Sequence, residues 1–375
     1  MKPSVKLYLV LGIIAVPLIY IMYLNLSNLF SFNESRIKKA FYRDVEDILF
    51  RFVETHFLTQ KGDIYSYIGP EGKDTDTLSE SVGMLLDYCA ARGRKDLFDR
   101  EFLFLKGRLL VKDRFIRWKT GKKEATCNAA VDDFRILRAL LEGYEKWKVK
   151  DYIETAGLIA QAIYDNQVVG RNLCELYDWV DRSVKKSIPL CYLDLYTMNR
   201  LSVFNRNWKI VADNGMNNIA SGRIGGTLPL FYKYLDYGTG LYHIDEEYVL
   251  GKGICITYSL LTALHMAEVR QDTGYFSSWL RNEAKRGKLY GWYDPDTLEP
   301  SRDIENAAVY ALASIYAAKL GDNVLCWKLL DNMLKFMVTD KKSPNYGGFG
   351  NDATGEFYSF DNLTALLALK AAAGD

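Results

Sequence analysis

Acidic residues able to move protons stand at the starts of apolar, helix-periodic segments of this chain. Glu80 lies in DTDTLSESVGML, Asp132 and Asp133 lie in CNAAVDDFRILRALLEGYEKW, and Asp245 lies in GLYHIDEEYVL, with Asp236 just upstream in KYLDYG. Hydrolysis of a glycosidic bond asks for such a set: one carboxylic acid protonates the leaving oxygen while a second carboxylate activates water. Each acid also has an ordinary explanation, since Asp and Glu at helix starts cap free N–H groups and favour the positive end of the helix dipole. The set gains weight only if the helices that carry it begin on one rim.

Apolar residues recur at three- and four-residue spacing in block after block, and strand-like alternation is scarce, so the periodicity predicts an all-α domain. About twelve helices are expected: Glu34–His56, Ser79–Arg92, Asp96–Val111, Ala130–Trp147, Asp151–Tyr164, Leu190–Phe204, Trp208–Ser221, Glu246–Arg270, Gly274–Lys288, Glu305–Leu320, Val324–Met337 and Phe360–Ala373. Connections into even-numbered blocks are mostly long and rich in Gly, Asp and Tyr; those leaving them are mostly a few residues and make antiparallel hairpins. If the hairpins close into a ring, every even-numbered helix starts on the same rim, and long loops in a compact domain are usually working parts. A helical solenoid that only binds partners is the alternative, but no internal repeat supports it.

The chain has 375 residues, 49% of them hydrophobic, which is ample for a large core. Its 48 basic and 47 acidic residues nearly cancel, so no global field gathers nucleic acid, and no nucleic-acid partner is expected. The 26 Tyr and 7 Trp suit an open polar groove, because flat rings with a polar edge stack on sugar faces. Six scattered cysteines without CxxC spacing, and only three His, argue against a zinc site and suggest buried thiols.

Leu7 to Phe30 carries no charge and is long enough to cross the ~30 Å hydrocarbon layer as a helix. Residues 1–31 are therefore expected to be a retained signal anchor, a single transmembrane helix, with a cleaved signal peptide as the alternative, and residues 32–375 an extracytoplasmic domain. No cysteine follows the segment to take a lipid, and Arg36, Lys38 and Lys39 pull against that orientation.

The stretch Ala129 to Trp147 resembles the signature of glycoside hydrolase family 8, the endoglucanase, chitosanase and bacterial cellulase family. It keeps the second signature Asp as Asp133, then Ile136, Ala139, Leu140, Leu141 and Trp147, while Val131 replaces the first Asp and Asp132 stands beside it. Ser79-Glu80 with Gly83-Met84 resembles the family's proton-donor segment, though two residues shorter. Trp118 resembles a sugar-stacking Trp, and the segments holding Tyr192 and the Tyr-rich C-terminal block follow in family order, so the likeness spans roughly Thr75 to Ala373.

The resemblance implies an (α/α)6 toroid and an inverting endo-glycosidase for a β-linked polysaccharide. Glu80 would be the acid and Asp245 the base, with Asp236 as the alternative base. Asp132, Asp133, Trp118, Tyr192, Tyr242 and Asp236 would hold the sugar. No metal or organic cofactor is needed for that chemistry. Membrane anchoring fits the cell's own exopolysaccharide or biofilm matrix as substrate, with a polysaccharide synthase complex as the candidate partner assembly. The alternatives are a catalytically inactive sugar-binding module on the same fold, which the altered signature would suit, and a polysaccharide lyase.

Overall fold

The computed structural model describes residues 35–112, 114–225, 228–244, 253–271 and 273–374. Twelve α-helices are present among them: α1 (35–56), α2 (Ser79–Arg92), α3 (Lys95–Phe104), α4 (Ala130–Trp147), α5 (Lys150–Gln167), α6 (Leu195–Leu201), α7 (Trp208–Ser221), α8 (Ile256–Glu268), α9 (Gly274–Arg286), α10 (Ala307–Lys319), α11 (Asn323–Met333) and α12 (Ser359–Ala373). No helix among the described residues is long and apolar enough to cross a membrane, and the expected span from Leu7 to Phe30 lies outside them.

The even-numbered helices pack in the order α2, α4, α6, α8, α10, α12 and back to α2, which closes an inner ring. Outside it, α3 leans on α2, α5 on α4, α7 on α6 and α11 on α10. Helix α1 bridges to the outer layer through Tyr42, whose hydroxyl donates to Asp331 at 2.8 Å. The sequence encodes the two layers. Helix α10 (AAVYALASIYAAK) is buried along its whole first half, as an inner helix covered on all sides must be, and its alanines allow close approach. Outer helix α9 buries Phe276, Trp279, Leu280, Glu283 and Ala284, a stripe at the spacing of one helical face.

Links leaving inner helices are short, as at 93–94 and 148–149, because Gly93 (φ 74°) and Lys148 (φ 57°) take the left-handed conformation that ends a helix sharply. Links entering inner helices are long (57–78, 105–129, 168–194, 222–255, 287–306 and 334–358) and hold strands of two or three residues. All six lead to the rim where the inner helices begin. One antiparallel sheet there orders Gly350–Asn351, Glu356–Tyr358, Tyr67–Gly69 and Gly72–Lys73. Another sets Ser187–Pro189 beside Tyr234–Asp236 and Tyr242–His243, with Ser187 opposite Asp236.

Most expected boundaries shift by a few residues, and three differ by five residues or more, each for its own reason. Asp194 caps α6, its carboxylate accepting from the Thr197 N–H at 2.9 Å, so Leu190–Tyr192 is a separate 3-10 turn. Helix α8 begins only at Ile256, because Ile254–Cys255 is extended and pairs with Trp292–Tyr293. Helix α3 gives way at Leu105–Leu109 to a π turn, and Leu110–Val111 is a strand.

Candidate active site

Glu80 is the second residue of α2, half-buried on the rim. The helix is preceded by extended Leu78, which has no side chain to cap it, so its first N–H groups are met from elsewhere. The Ser79 N–H donates to the Trp118 carbonyl at 2.9 Å, and the Glu80 N–H to the Asp132 carboxylate. Asp132 also accepts from the Ser79 hydroxyl (2.7 Å) and from Arg135 (3.2 Å). It is the N-terminal acid of α4 and lies directly against the start of α2.

The two neighbouring carboxyls differ in their partners. Burial raises the Asp132 carboxyl above its ordinary value, opposed by Arg135 and by the donors from Ser79 and Glu80, whereas no donor is paired with the Glu80 side chain among the described residues. Burial first, and then the charge of Asp132, push the Glu80 carboxyl up to about 7, with Arg135 opposing them. An acid that still holds its proton near neutral pH can give it to a leaving oxygen.

Asp133 takes a different position. Successive helix residues point about 100° apart, and this carboxyl, 1% exposed, turns inward. It accepts from Asn128, whose amide also donates to Gln167 at 2.6 Å and accepts from the Tyr177 N–H at 2.7 Å. Its other oxygen has no partner, and burial holds its pKa well above the usual range. The place beside Glu80 belongs to Asp132; Asp133 braces the loops behind it.

Farther along the rim, Trp118 leaves 38% of its surface exposed, while its carbonyl anchors Ser79. Tyr192 is close enough to Asp132 to feel its charge. It also lines a groove of about 810 Å³ together with Tyr234, Asp236 and Tyr258. Glu80 and Asp236 therefore face the same end of the barrel. Asp236 Oδ1 accepts the N–H groups of Gly238 (2.7 Å) and Thr239 (3.3 Å) and shapes the hairpin turn. Tyr242 is not brought into this group: its hydroxyl donates to the Asn218 carbonyl at 2.9 Å and its ring packs on Tyr232. Asp245 lies outside the described residues.

Two residues not singled out from the sequence belong to the rim. Arg135 touches Asp132 and acts on Glu80. Asp361, in the first turn of α12, is pushed up to about 6 by burial, against a hydrogen bond from the Ala308 N–H. The run SFDN repeats the pattern of an acid just inside an inner helix, which was the available signal.

Below the rim the barrel encloses a cavity of about 280 Å³. Asp194, His265 and Glu268 converge there closely enough to suggest a cation site, and the cation among them is Arg138. Its guanidinium donates to Asp194 (2.7 Å) and to both Glu268 oxygens (2.5 and 2.7 Å). All six thiols are free, and those of Cys89, Cys174, Cys191 and Cys326 are buried.

No family model matches the chain. YdaJ of Bacillus subtilis strain 168, named as a lipoprotein, is 28% identical over 298 residues, 78% of either chain. An α-amylase from Clostridium perfringens superposes with TM-score 0.81 at 28% identity, covering 87% of this chain and 97% of that one. PssZ from Listeria monocytogenes gives 0.69 at 21% (85% and 93% covered). Endoglucanase Cel10 from Klebsiella pneumoniae, a family 8 glycosyl hydrolase, gives 0.61 at 13% (86% and 99% covered). The chain has the family 8 type of fold that its signature-like segment implied.

Proposed function

We propose that this chain is an extracytoplasmic, endo-acting glycoside hydrolase that cuts a β-linked polysaccharide, the cell's own exopolysaccharide, by an inverting mechanism. The observation that carries the reading is the pairing of Glu80, whose carboxyl burial pushes up to about 7, with Asp132, which receives three donors, on the rim that also carries the Tyr192-lined groove.

In this reading Glu80 protonates the glycosidic oxygen. Asp132 and Tyr192 hold the sugar at the cleavage point, and Trp118 stacks on a neighbouring ring. The base is Asp245, or Asp236 through the oxygen not engaged by its turn, about 6.5–9.5 Å from Glu80 to leave room for water. Residues 1–31 anchor the domain of residues 32–375. The charge-free run from Leu7 to Phe30 and the likeness to a protein named as a lipoprotein support that placement.

A second reading concerns the linkage. The α-amylase likeness favours an α-linked glucan, and the fold alone does not choose between anomers. The test incubates the purified full-length protein with α- and β-linked polysaccharides and with exopolysaccharide from the producing cells. Product size and the anomeric form of the new reducing ends are then read. Shortened chains that Glu80→Gln fails to produce support the hydrolase. Polymer binding without cleavage by the unaltered protein would make it the inactive sugar-binding module instead.

A further inference from the structure

Helix α1 buries Tyr42, Val45, Leu49 and Phe52 along one face and leaves large apolar side chains in water on another. Its first two turns expose Ile37 (70%) and Phe41 (48%), four residues apart and so on the same side of the helix. Leu320, at the end of α10, and Val324 (76%), in the first turn of α11, are exposed as well. Arg36 and Arg43 lie exposed beside the α1 pair, and the exposed acids of α1 among the described residues, Asp44, Asp47 and Glu54, all come later along the helix.

These side chains stand at the end of the barrel opposite the rim. Phe52, late in α1, packs on Phe357 just ahead of α12, with ring centres 5.2 Å apart. Lys39, early in α1, lies beside Gly374 just after α12, its Nζ 3.6 Å from where a Cβ would stand. Helix α1 therefore runs antiparallel to α12 and starts where the inner helices end. Tyr42 sets it alongside α11, its hydroxyl meeting the Trp327 carbonyl (3.2 Å) and Asp331 (2.8 Å). Both helices lead into links that reach the rim, so they run in parallel, and Ile37 and Val324 lie at one level. The chain itself says what this end faces: Phe30, the last residue of the charge-free run, is joined to Ser35, the first residue of α1, by at most about 18 Å of extended chain. A membrane that takes up the run is held against the end that carries Ile37.

We infer that the first two turns of α1, together with Leu320 and Val324, rest in the headgroup layer of a phospholipid membrane. Apolar side chains with arginines beside them suit that layer, where they leave water while the guanidinium groups meet phosphates. The rim then opens away from the membrane at a height of about 33 Å, the length of α1, which points Glu80 and the groove toward polymer outside. The inference rests on the reading of residues 1–31 as an anchor and adds which face of the domain lies on the lipid.

The experiment reconstitutes the full-length protein into vesicles of phosphatidylcholine and phosphatidylglycerol that contain a phospholipid with a diazirine at the top of one acyl chain. After irradiation, lipid adducts are mapped by mass spectrometry. The expected adducts fall on Leu7–Phe30, on Ile37 and Phe41, and on Leu320 and Val324, with none on Trp118 or Tyr358 at the rim. Ile37→Gln combined with Phe41→Gln, at two exposed positions where an unchanged thermal midpoint checks the fold, lowers the adducts on Leu320 and Val324 about tenfold. Adducts on Leu7–Phe30 with none on Ile37, Phe41 or Val324 show that water or a second copy covers the patch, and they overturn the inference while the anchor reading stands. Adducts on the rim, or undiminished adducts on Leu320 and Val324 in the double variant, overturn it too. Absence of adducts on Leu7–Phe30, as when that run folds back onto the patch, overturns the anchor reading and the inference with it.

Discussion

The Ser79 hydroxyl, one residue ahead of Glu80, donates to the Asp132 carboxylate of a different helix at 2.7 Å. This bond ties the start of α2 to the start of α4 and holds Asp132 against the residue that precedes Glu80. Gly83, one turn on, lets the helices meet: a Cβ there would stand 3.2 Å from Ile136 and 3.4 Å from Arg135.

Replacing Glu80 by Gln is expected to lower polymer cleavage by about 10²–10⁴-fold, the range for loss of a positioned acid. The fold should survive, since a neutral amide removes a charge that burial disfavours. Reducing-end release and the thermal midpoint, measured on the same preparation, check both halves.

Asp132 and Arg135 should move the pH profile in opposite directions. The negative Asp132 raises the Glu80 pKa and the positive Arg135 lowers it. The acid must be protonated to act, so the alkaline limb of the kcat/KM profile follows that pKa. Asp132→Asn therefore shifts the limb to lower pH, and Arg135→Met shifts it to higher pH. Shifts in the same direction would refute the arrangement.

Stability should fall as pH rises from about 5 to 8. Glu101 is fully buried with one oxygen unpartnered, and burial lifts it from 4.5 to about 7. Between those values the folded chain holds a proton that the unfolded chain has released, so stability is greatest below the unfolded pKa and declines up to the folded one. Glu80 and Glu142, both pushed up to about 7, act in the same sense. Denaturant midpoints at pH 5 and pH 8 should differ less in Glu101→Gln than in the parent.

Arg138→Met should destabilise the barrel by about 3–5 kcal/mol, because Asp194 and Glu268 would remain buried without their counter-charge. Burial acts to raise Glu268, and the Arg138 charge outweighs it and holds the carboxyl well below the usual range. Urea unfolding measures the loss, and pairing the change with Glu268→Gln should recover part of it.

Periodicity placed α2, α4 and α7 residue for residue, since each has a strong apolar pattern and ends at a residue that stops a helix. It failed where distant parts decide. The late start of α8 depends on Trp292–Tyr293, nearly forty residues away, and the split before α6 on one side-chain cap. At the site, helix starts pointed to Glu80 and the Asp pair. Which Asp meets Glu80 depends on the rotation of α4 against α2, and that is a tertiary fact. Tyr242, which the family resemblance set among the sugar-holding residues, donates its hydroxyl to the Asn218 carbonyl of α7, a contact between distant elements that no local pattern encodes.

The ring is fastened by α12. Its Ser359 meets Ser81 at 2.8 Å, 278 residues apart in sequence, and Glu356–Tyr358 zips onto Tyr67–Gly69. During synthesis the first helices must wait with their inward faces uncovered until α12 emerges. The rim that carries Glu80 would thus be complete only when this final wall slots into place.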